Sequence, residues 1–169
     1  MKSKMSAQEF DNIYERYKIL LYRIAYTYLK NSDDVEDLLQ DVFIKRLYHA
    51  PSFETEEHEK RWMIRVTVNL AKNQLRSFWS RNRTEWSDFL GEPEILQWRW
   101  EEKDRNVYSE VMSLPDKQRI VIYLHYFEGY TCKEIADILK CKESAVKMRL
   151  KKGRDLLRVS LSEGGFAWN

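Results

Sequence analysis

Three groups of residues in this sequence have the type and spacing to do chemistry. Asp34, Asp37 and Asp41 repeat at i, i+3 and i+7, so on a helix they form one acidic stripe. Neighbouring carboxylates serve acid–base catalysis, hold Mg²⁺, meet a basic partner or stay solvated. A metal or catalytic centre draws ligands from more than one element, which one exposed stripe does not supply, so a solvated or protein-binding face fits better than catalysis. The second group is the run from Lys60 to Arg83, with seven Lys or Arg and no Asp or Glu, interleaved with Trp62, Phe78 and Trp79. Bases beside aromatics suit a phosphate backbone whose nucleobases stack or enter pockets. The third is YTCKEIADILKCKESAVKMRLKKGRDLLR, where Lys147, Lys151, Arg154 and Arg158 share one helical face.

Charge is segregated along the chain. The 29 Lys and Arg nearly cancel the 27 Asp and Glu, leaving +2 over 169 residues, yet residues 85–116 carry a net −6 and residues 139–158 a net +6. Two basic blocks separated by an acidic one imply two contacts with a polyanion; the plainer alternative is a pair of solvated helix faces.

With 43% apolar and 33% charged residues the composition is globular, and five Gly and three Pro exclude collagen-like and Pro-rich disordered chains. No apolar run is long enough to span a membrane, and MKSKMSAQEF lacks the apolar core of a signal peptide. A cytoplasmic location without membrane insertion is therefore expected, with Cys132 and Cys141 as reduced thiols. Adding His125 leaves an incomplete zinc set at irregular spacing, so no metal is expected. There is no nucleophile with a base at suggestive spacing and no glycine-rich phosphate loop. The expectation is a non-enzyme without cofactor or small-molecule substrate.

Apolar periodicity sets the elements that must position these groups. Phe10, Ile13, Tyr14, Tyr17, Leu20, Leu21, Ile24 and Tyr28 predict a helix over 8–29. Asp33 and Glu36 read as a capping pair for a second helix, 33–48, with Val35, Leu38, Leu39, Val42 and Phe43 inward. Pro51 closes it, and Ser52–Glu59 reads as an acidic loop. A third helix follows over 58–80, with Trp62, Met63, Val66, Val68, Leu70 and Leu75 among its bases, so that three helices can enclose a core. The stretch 82–105 carries Gly91, Pro93, Trp86, Trp98 and Trp100 and no sustained period, as a linker would. Val107, Val111, Met112 and Leu114 mark a short helix stopped by Pro115. Ile120, Val121, Tyr123, Leu124 and Phe127 mark another, ended by Gly129. The fold class is all-α, as two small helical domains, 8–81 and 106–161, joined by an acidic linker.

In the last domain Thr131 and Glu134 form a capping box for a helix of about eight residues buried through Ile135, Ile138 and Leu139. A break at Lys140–Glu143 leads into a longer helix buried through Val146, Leu150, Gly153 and Leu157. A short helix, a tight turn and a second helix with a basic outer face is the geometry that enters the major groove of DNA. Lys147, Met148 and Lys151 lie where side chains reach base edges; Arg149, Lys152 and Arg154 are better placed for phosphates. The competing reading is an ordinary helical hairpin with a solvated basic face.

The run Leu114, Pro115, Arg119, Val121, Leu124, Glu128, Gly129, Thr131, Glu134, Ile135, Ala136, Leu139, Val146, Lys147, Arg149, Leu150, Gly153 and Arg154 resembles region four of the extracytoplasmic-function class of bacterial sigma factors. DDVEDLLQDVFIKRLYHAPSF followed by KRWMIRVTVNLAKNQLR is similar to region two of the same class. The resemblance implies a promoter-specificity subunit of RNA polymerase. Its region-two domain, of three to four helices, would dock on the clamp of the largest core subunit through Asp34, Asp37, Gln40 and Asp41. Asn69 and Asn73 would read an extruded minus-ten base, with Arg65, Lys72 and Arg76 on phosphates. Thr131, Ser144, Lys147, Met148, Arg149, Lys151, Lys152 and Arg154 would contact the minus-thirty-five element. The acidic linker would thread toward the polymerase cleft as an RNA mimic, or else serve as a tether, and an anti-sigma factor is an implied partner. The chain departs from the family at Lys140, usually Gly, at Lys142, usually a capping Ser, and at Ala145, commonly Thr. The lost cap costs about 1 kcal/mol. Two other readings are a stand-alone helix-turn-helix regulator of duplex DNA and a metal-dependent nuclease built on the Asp34 stripe.

Overall fold

The computed structural model describes residues 4–81 and 102–163, with side chains over 4–77 and 107–161. The expected linker tryptophans Trp86, Trp98 and Trp100, and Arg83, lie outside the described residues, as do the side chains of Phe78 and Trp79. Every regular element among the described residues is helical, and the chain divides into two compact units.

Three long helices that all pack on one another build the first unit: α1 (Ala7–Leu29), α2 (Ser32–His49) and α3 (Glu56–Arg81). Helix α1 opens with a full capping box that the sequence reading passed over. The Ser6 hydroxyl accepts from the Glu9 N–H at 3.2 Å while the Glu9 carboxylate accepts from the Ser6 N–H at 2.8 Å. It stops at Lys30, whose left-handed backbone (φ 52°) turns its N–H back to the Tyr26 carbonyl at 3.1 Å. The cap of α2 is Asn31, not Asp33: the extended Asn31 backbone lets its side-chain oxygen reach the Asp34 N–H at 3.1 Å. Asp33 and Asp34 instead occupy the first turn, where the helix dipole favours negative charge.

The expected acidic loop Ser52–Glu59 is half helix. The Thr55 hydroxyl accepts from the His58 N–H at 3.0 Å, and α3 starts at Glu56, so Glu56, Glu57 and Glu59 sit on its positive end. Trp62 is half-buried rather than core, edge-on to Phe53 with centroids 5.6 Å apart. The α2 stripe is buried as expected, Val35, Leu38, Leu39, Val42 and Phe43 joining Leu21, Ile24, Met63, Ile64 and Val68 in the core, whereas Phe10 and Leu20 of the expected α1 stripe are half-buried and Tyr14 is exposed.

Within that apolar junction lies one buried acid. Glu59 is 7% exposed, and its Oε2 accepts from Arg46 Nη2 at 2.6 Å and Nε at 3.1 Å. Its Oε1 accepts from the Tyr17 hydroxyl at 2.9 Å and lies 3.7 Å from Arg16. One carboxylate of α3 is thereby held by α1 and α2 together. Burial, and then the hydrogen bond to Glu59, push the Tyr17 hydroxyl from its ordinary 10.0 up to about 12.

The second unit contains α4 (Glu102–Met112), α5 (Asp116–Ile122), α6 (Cys132–Leu139) and α7 (Glu143–Glu163). The backbone of α4 turns helical at Glu102, ahead of the expected start near Val107. Arg119 is buried and closes the α4–α5 corner: its Nη2 donates to the Leu114 carbonyl at 2.6 Å and its Nη1 to Asp116 at 3.1 Å. Helix α5 widens into a π-helical turn, Tyr123–Phe127, a departure from the uniform helix expected there. Gly129 ends it at φ 75°, a conformation that favours glycine. Helix α7 packs on α4, α5 and α6, and at Gly153 it lies so near α5 that a Cβ would stand 2.8 Å from Ile122 Cγ1.

Three outcomes are expected. Glu59→Ala leaves half-buried Arg46 without its carboxylate and the Tyr17 hydroxyl with only the more distant Glu56 carbonyl at 3.4 Å, and lowers the stability of the first unit by about 3 kcal/mol, read by denaturant titration and by amide exchange in α3. Between about pH 10 and 12 the folded Tyr17 keeps a proton that the unfolded chain releases, so stability falls as pH rises through this window. Tyr17→Phe flattens that fall in alkaline melts. Gly153→Ala gains up to about 1 kcal/mol of helix propensity but meets overpacking of about 1–3 kcal/mol. It therefore destabilises the second unit, and Ile122→Ala, which removes the clashing Cγ1 and Cδ1, costs less in the Gly153→Ala background than in the unaltered chain in the same melt.

Candidate nucleic-acid interface

The faces left over after the cores are formed carry the charged groups. On α3, burial of Met63, Ile64, Val68, Ala71 and Leu75 turns the opposite side outward. That side displays Asn69, Asn73 and Arg76 as exposed residues, with Arg65 and Lys72 half-buried beside them. The five fall within three turns at i, i+4, i+7, i+8 and i+11, so the helix brings the whole expected minus-ten set onto one face. An Asn amide offers a donor and an acceptor together, as a base edge requires.

On α2, Asp34, Asp37, Gln40 and Asp41 are all exposed, opposite the buried stripe. Asp34 is held above its ordinary carboxylate value, first by partial desolvation and then by repulsion from Asp37 and Asp33. A cationic partner would relieve that repulsion. An apolar groove not expected from the sequence lies alongside. Gln40, Ile44 and Leu47 fall at i, i+4 and i+7, and with Phe10, Tyr14 and Phe43 they line a groove of about 480 Å³ between α1 and α2. Ile44 is 51% exposed, and Tyr14 and Leu47 also show apolar surface. The signal for it was a second apolar spacing on α2, off the core stripe.

In the second unit α6 and α7 form the helix-turn-helix. Thr131 caps α6, its hydroxyl accepting from the Glu134 N–H at 3.2 Å and donating to the Glu134 carboxylate at 3.1 Å. The turn is three residues long. Lys140 takes the left-handed conformation (φ 52°, ψ 52°), and Lys142 receives the Val146 N–H on its carbonyl at 3.2 Å, which puts a lysine in the cap position of α7. Val146, Leu150, Gly153 and Leu157 are buried, as expected.

Outward from that stripe stand Ser144, Lys147, Met148, Lys151 and Lys152, all exposed. Lys147 pairs with Glu143 at 3.5 Å. Arg149 and Arg154 are half-buried and tethered. The first donates toward Cys141 Sγ at 3.9 Å, and the second to the Tyr126 hydroxyl at 3.3 Å, across to the π-helical turn. His125, considered for zinc, has Nδ1 2.7 Å from the Tyr130 carbonyl oxygen, and both cysteines are free thiols. No group of three or more His, Cys, Asp or Glu among the described residues is placed to hold a metal ion.

Two family descriptions match the chain, Sigma-70 region 2 over residues 13–81 and Sigma-70, region 4 over residues 104–157. The ECF RNA polymerase sigma factor SigW of Bacillus subtilis is 27% identical over 168 residues, covering 91% of this chain and 89% of SigW. The RNA polymerase sigma factor SigZ of the same organism is 30% identical over 135 residues, covering 75% and 72%. Among solved structures, the sigma factor RpoE of Bartonella quintana, in complex with the anti-sigma factor NepR, superposes with a TM-score of 0.75 at 21% identity, covering 92% of this chain and 98% of that one. The chain belongs to the sigma-70 family of RNA polymerase sigma factors, in its extracytoplasmic-function class. As a sigma factor it binds core RNA polymerase and promoter DNA and directs the initiation of transcription, a role that in this family is non-enzymatic.

The two family departures at the turn have a measurable consequence. Left-handed backbone costs a non-glycine residue about 1–2 kcal/mol, and a lysine cap forgoes about 1 kcal/mol that Ser provides. Lys140→Gly and Lys142→Ser are each expected to raise the stability of the second unit by about 1 kcal/mol in denaturant melts. Each also removes a cation beside α7, so DNA affinity falls and the slope of log affinity against log salt becomes shallower.

Proposed function

We propose that the polymerase and promoter contacts are divided among three helix faces. The exposed Asp34, Asp37, Gln40 and Asp41 of α2, continuous with the apolar groove at Ile44 and Leu47, dock on the clamp of the largest core subunit. Carboxylates steer the approach of a basic partner and the groove adds apolar burial. The α3 face recognises and opens the minus-ten element: Arg65, Lys72 and Arg76 hold phosphates while Asn69 and Asn73 read a base removed from the stack. Unstacking costs a few kcal/mol, which these contacts and the attachment to polymerase offset. The helix-turn-helix grips the minus-thirty-five element through Thr131, Ser144, Lys147, Met148, Arg149, Lys151, Lys152 and Arg154.

The observation that carries this reading is the segregation of charge by helix: an exposed acidic face on α2 and exposed basic or amide faces on α3 and α7. A stand-alone duplex-binding regulator would use only the last. Residues 8–81 and 106–161 are accordingly assigned as the polymerase-binding and upstream-reading domains, with 82–105 as the linker, its last four residues, 102–105, already in α4. Joining two modest DNA contacts through polymerase raises their combined affinity by effective concentration. The chain itself performs no catalysis in this scheme and works in the cytoplasm, where polymerase and promoter DNA are. No helix among the described residues is long and apolar enough to cross a membrane. An anti-sigma protein is a further partner, a proposal supported by the Bartonella complex of the same fold.

The test is a double charge reversal, Asp37→Lys with Asp41→Lys, in the full chain. Co-purification with core polymerase and run-off transcription are both expected to fall by at least tenfold, while binding of the isolated chain to duplex DNA is unchanged. Equal polymerase binding by the variant and the unaltered chain refutes the α2 assignment.

A further inference from the structure

We infer that Met148 is a specificity-determining residue that reads the C5-methyl group of a thymine in the upstream element; this rests on the assignment of α7 as the recognition helix. Met148 is 73% exposed, the greatest exposure of any large apolar side chain in the described residues. It stands in the second turn of α7 between Lys147 and Lys151, on the side away from Val146 and Leu150.

The neighbours divide the available base chemistry. Lys147 and Lys151 are point cations that donate to guanine O6 and N7 or to phosphate. Ser144 donates or accepts without strong preference. Arg149 is drawn toward Cys141, and Arg154 toward Tyr126. Met148 has no hydrogen-bond donor, and its thioether sulfur is a weak acceptor. Its flexible apolar chain therefore discriminates between bases through apolar area, and in the major groove the only methyl group a base pair presents is that of thymine. A thymine packed there buries the methyl and the exposed methionine together, and removal of one buried methyl weakens binding about fourfold.

The experiment uses holoenzyme assembled from the full chain and bacterial core polymerase. Upstream duplexes are selected from a randomised pool, and each thymine of the winning sequence is then replaced singly by deoxyuridine, which removes only the methyl. One position is expected to weaken binding about fourfold, with the effect absent in Met148→Ala and retained in Met148→Leu. No methyl-sensitive position, or sensitivity that persists in Met148→Ala, overturns the inference; enrichment of a defined upstream sequence in the same selection would then leave the recognition-helix assignment standing. Absence of any enriched upstream sequence overturns that assignment and the inference with it.

Discussion

The first unit depends on a single buried carboxylate. Glu59 projects from the opening turn of α3 into the junction with α1 and α2, where Arg46 and Tyr17 hold its oxygens. A carboxylate so deep survives only because every approach to it is a donor. Its specificity is geometric as well as electrostatic: the arginine that donates twice to Oε2 comes from α2 and the hydroxyl on Oε1 from α1. The network thereby ties the opening turn of α3 to both neighbours. Together with the buried apolar stripes it holds the three helices with the aspartates of α2 and the asparagines and bases of α3 outward.

The second unit solves a different problem. A recognition helix has to be carried rigidly on its scaffold while its outer face remains polar. Gly153 allows α7 to approach α5 where a Cβ would stand 2.8 Å from Ile122 Cγ1, and Arg119 locks the corner before it. The turn between α6 and α7 is built less economically. Lys140 tolerates left-handed backbone and Lys142 occupies a cap site without a capping side chain. Both positions place positive charge at the start of α7, beside the path expected for phosphates. Stability given up at this turn is consistent with selection for charge there, since functional sites are where local rules are broken.

Much of this was legible from residue spacing. The seven helices among the described residues follow from apolar stripes of period near 3.6, because a helix must bury one side whatever its neighbour is. The acidic set on α2 and the cationic set on α7 were equally legible, since residues at i, i+3, i+4 and i+7 share a face in any helix, whereas Asn69 and Asn73 of α3 read as routine surface amides until the family resemblance singled them out. The misplaced boundaries share a cause. Asn31 and Asp33 are both good caps, and only the backbone conformation at residue 31 chooses between them. Glu56–Glu59 looked like solvated loop because an acidic run without apolar period carries no sign that it sits on a helix N-terminus.

What the amino-acid order determined by itself was therefore local: which segments coil, which side of each is apolar and which charges travel together, because these properties depend on spacing of a few residues. What only the tertiary structure decided was which polar groups are drawn inside and which apolar ones are left out. Glu59 reads like Glu57, and Ile44 reads like Val42, until helices meet. Burial is a property of two surfaces in contact, and residues 42 positions apart in sequence, such as Tyr17 and Glu59, acquire their roles only when α1 and α3 close on each other.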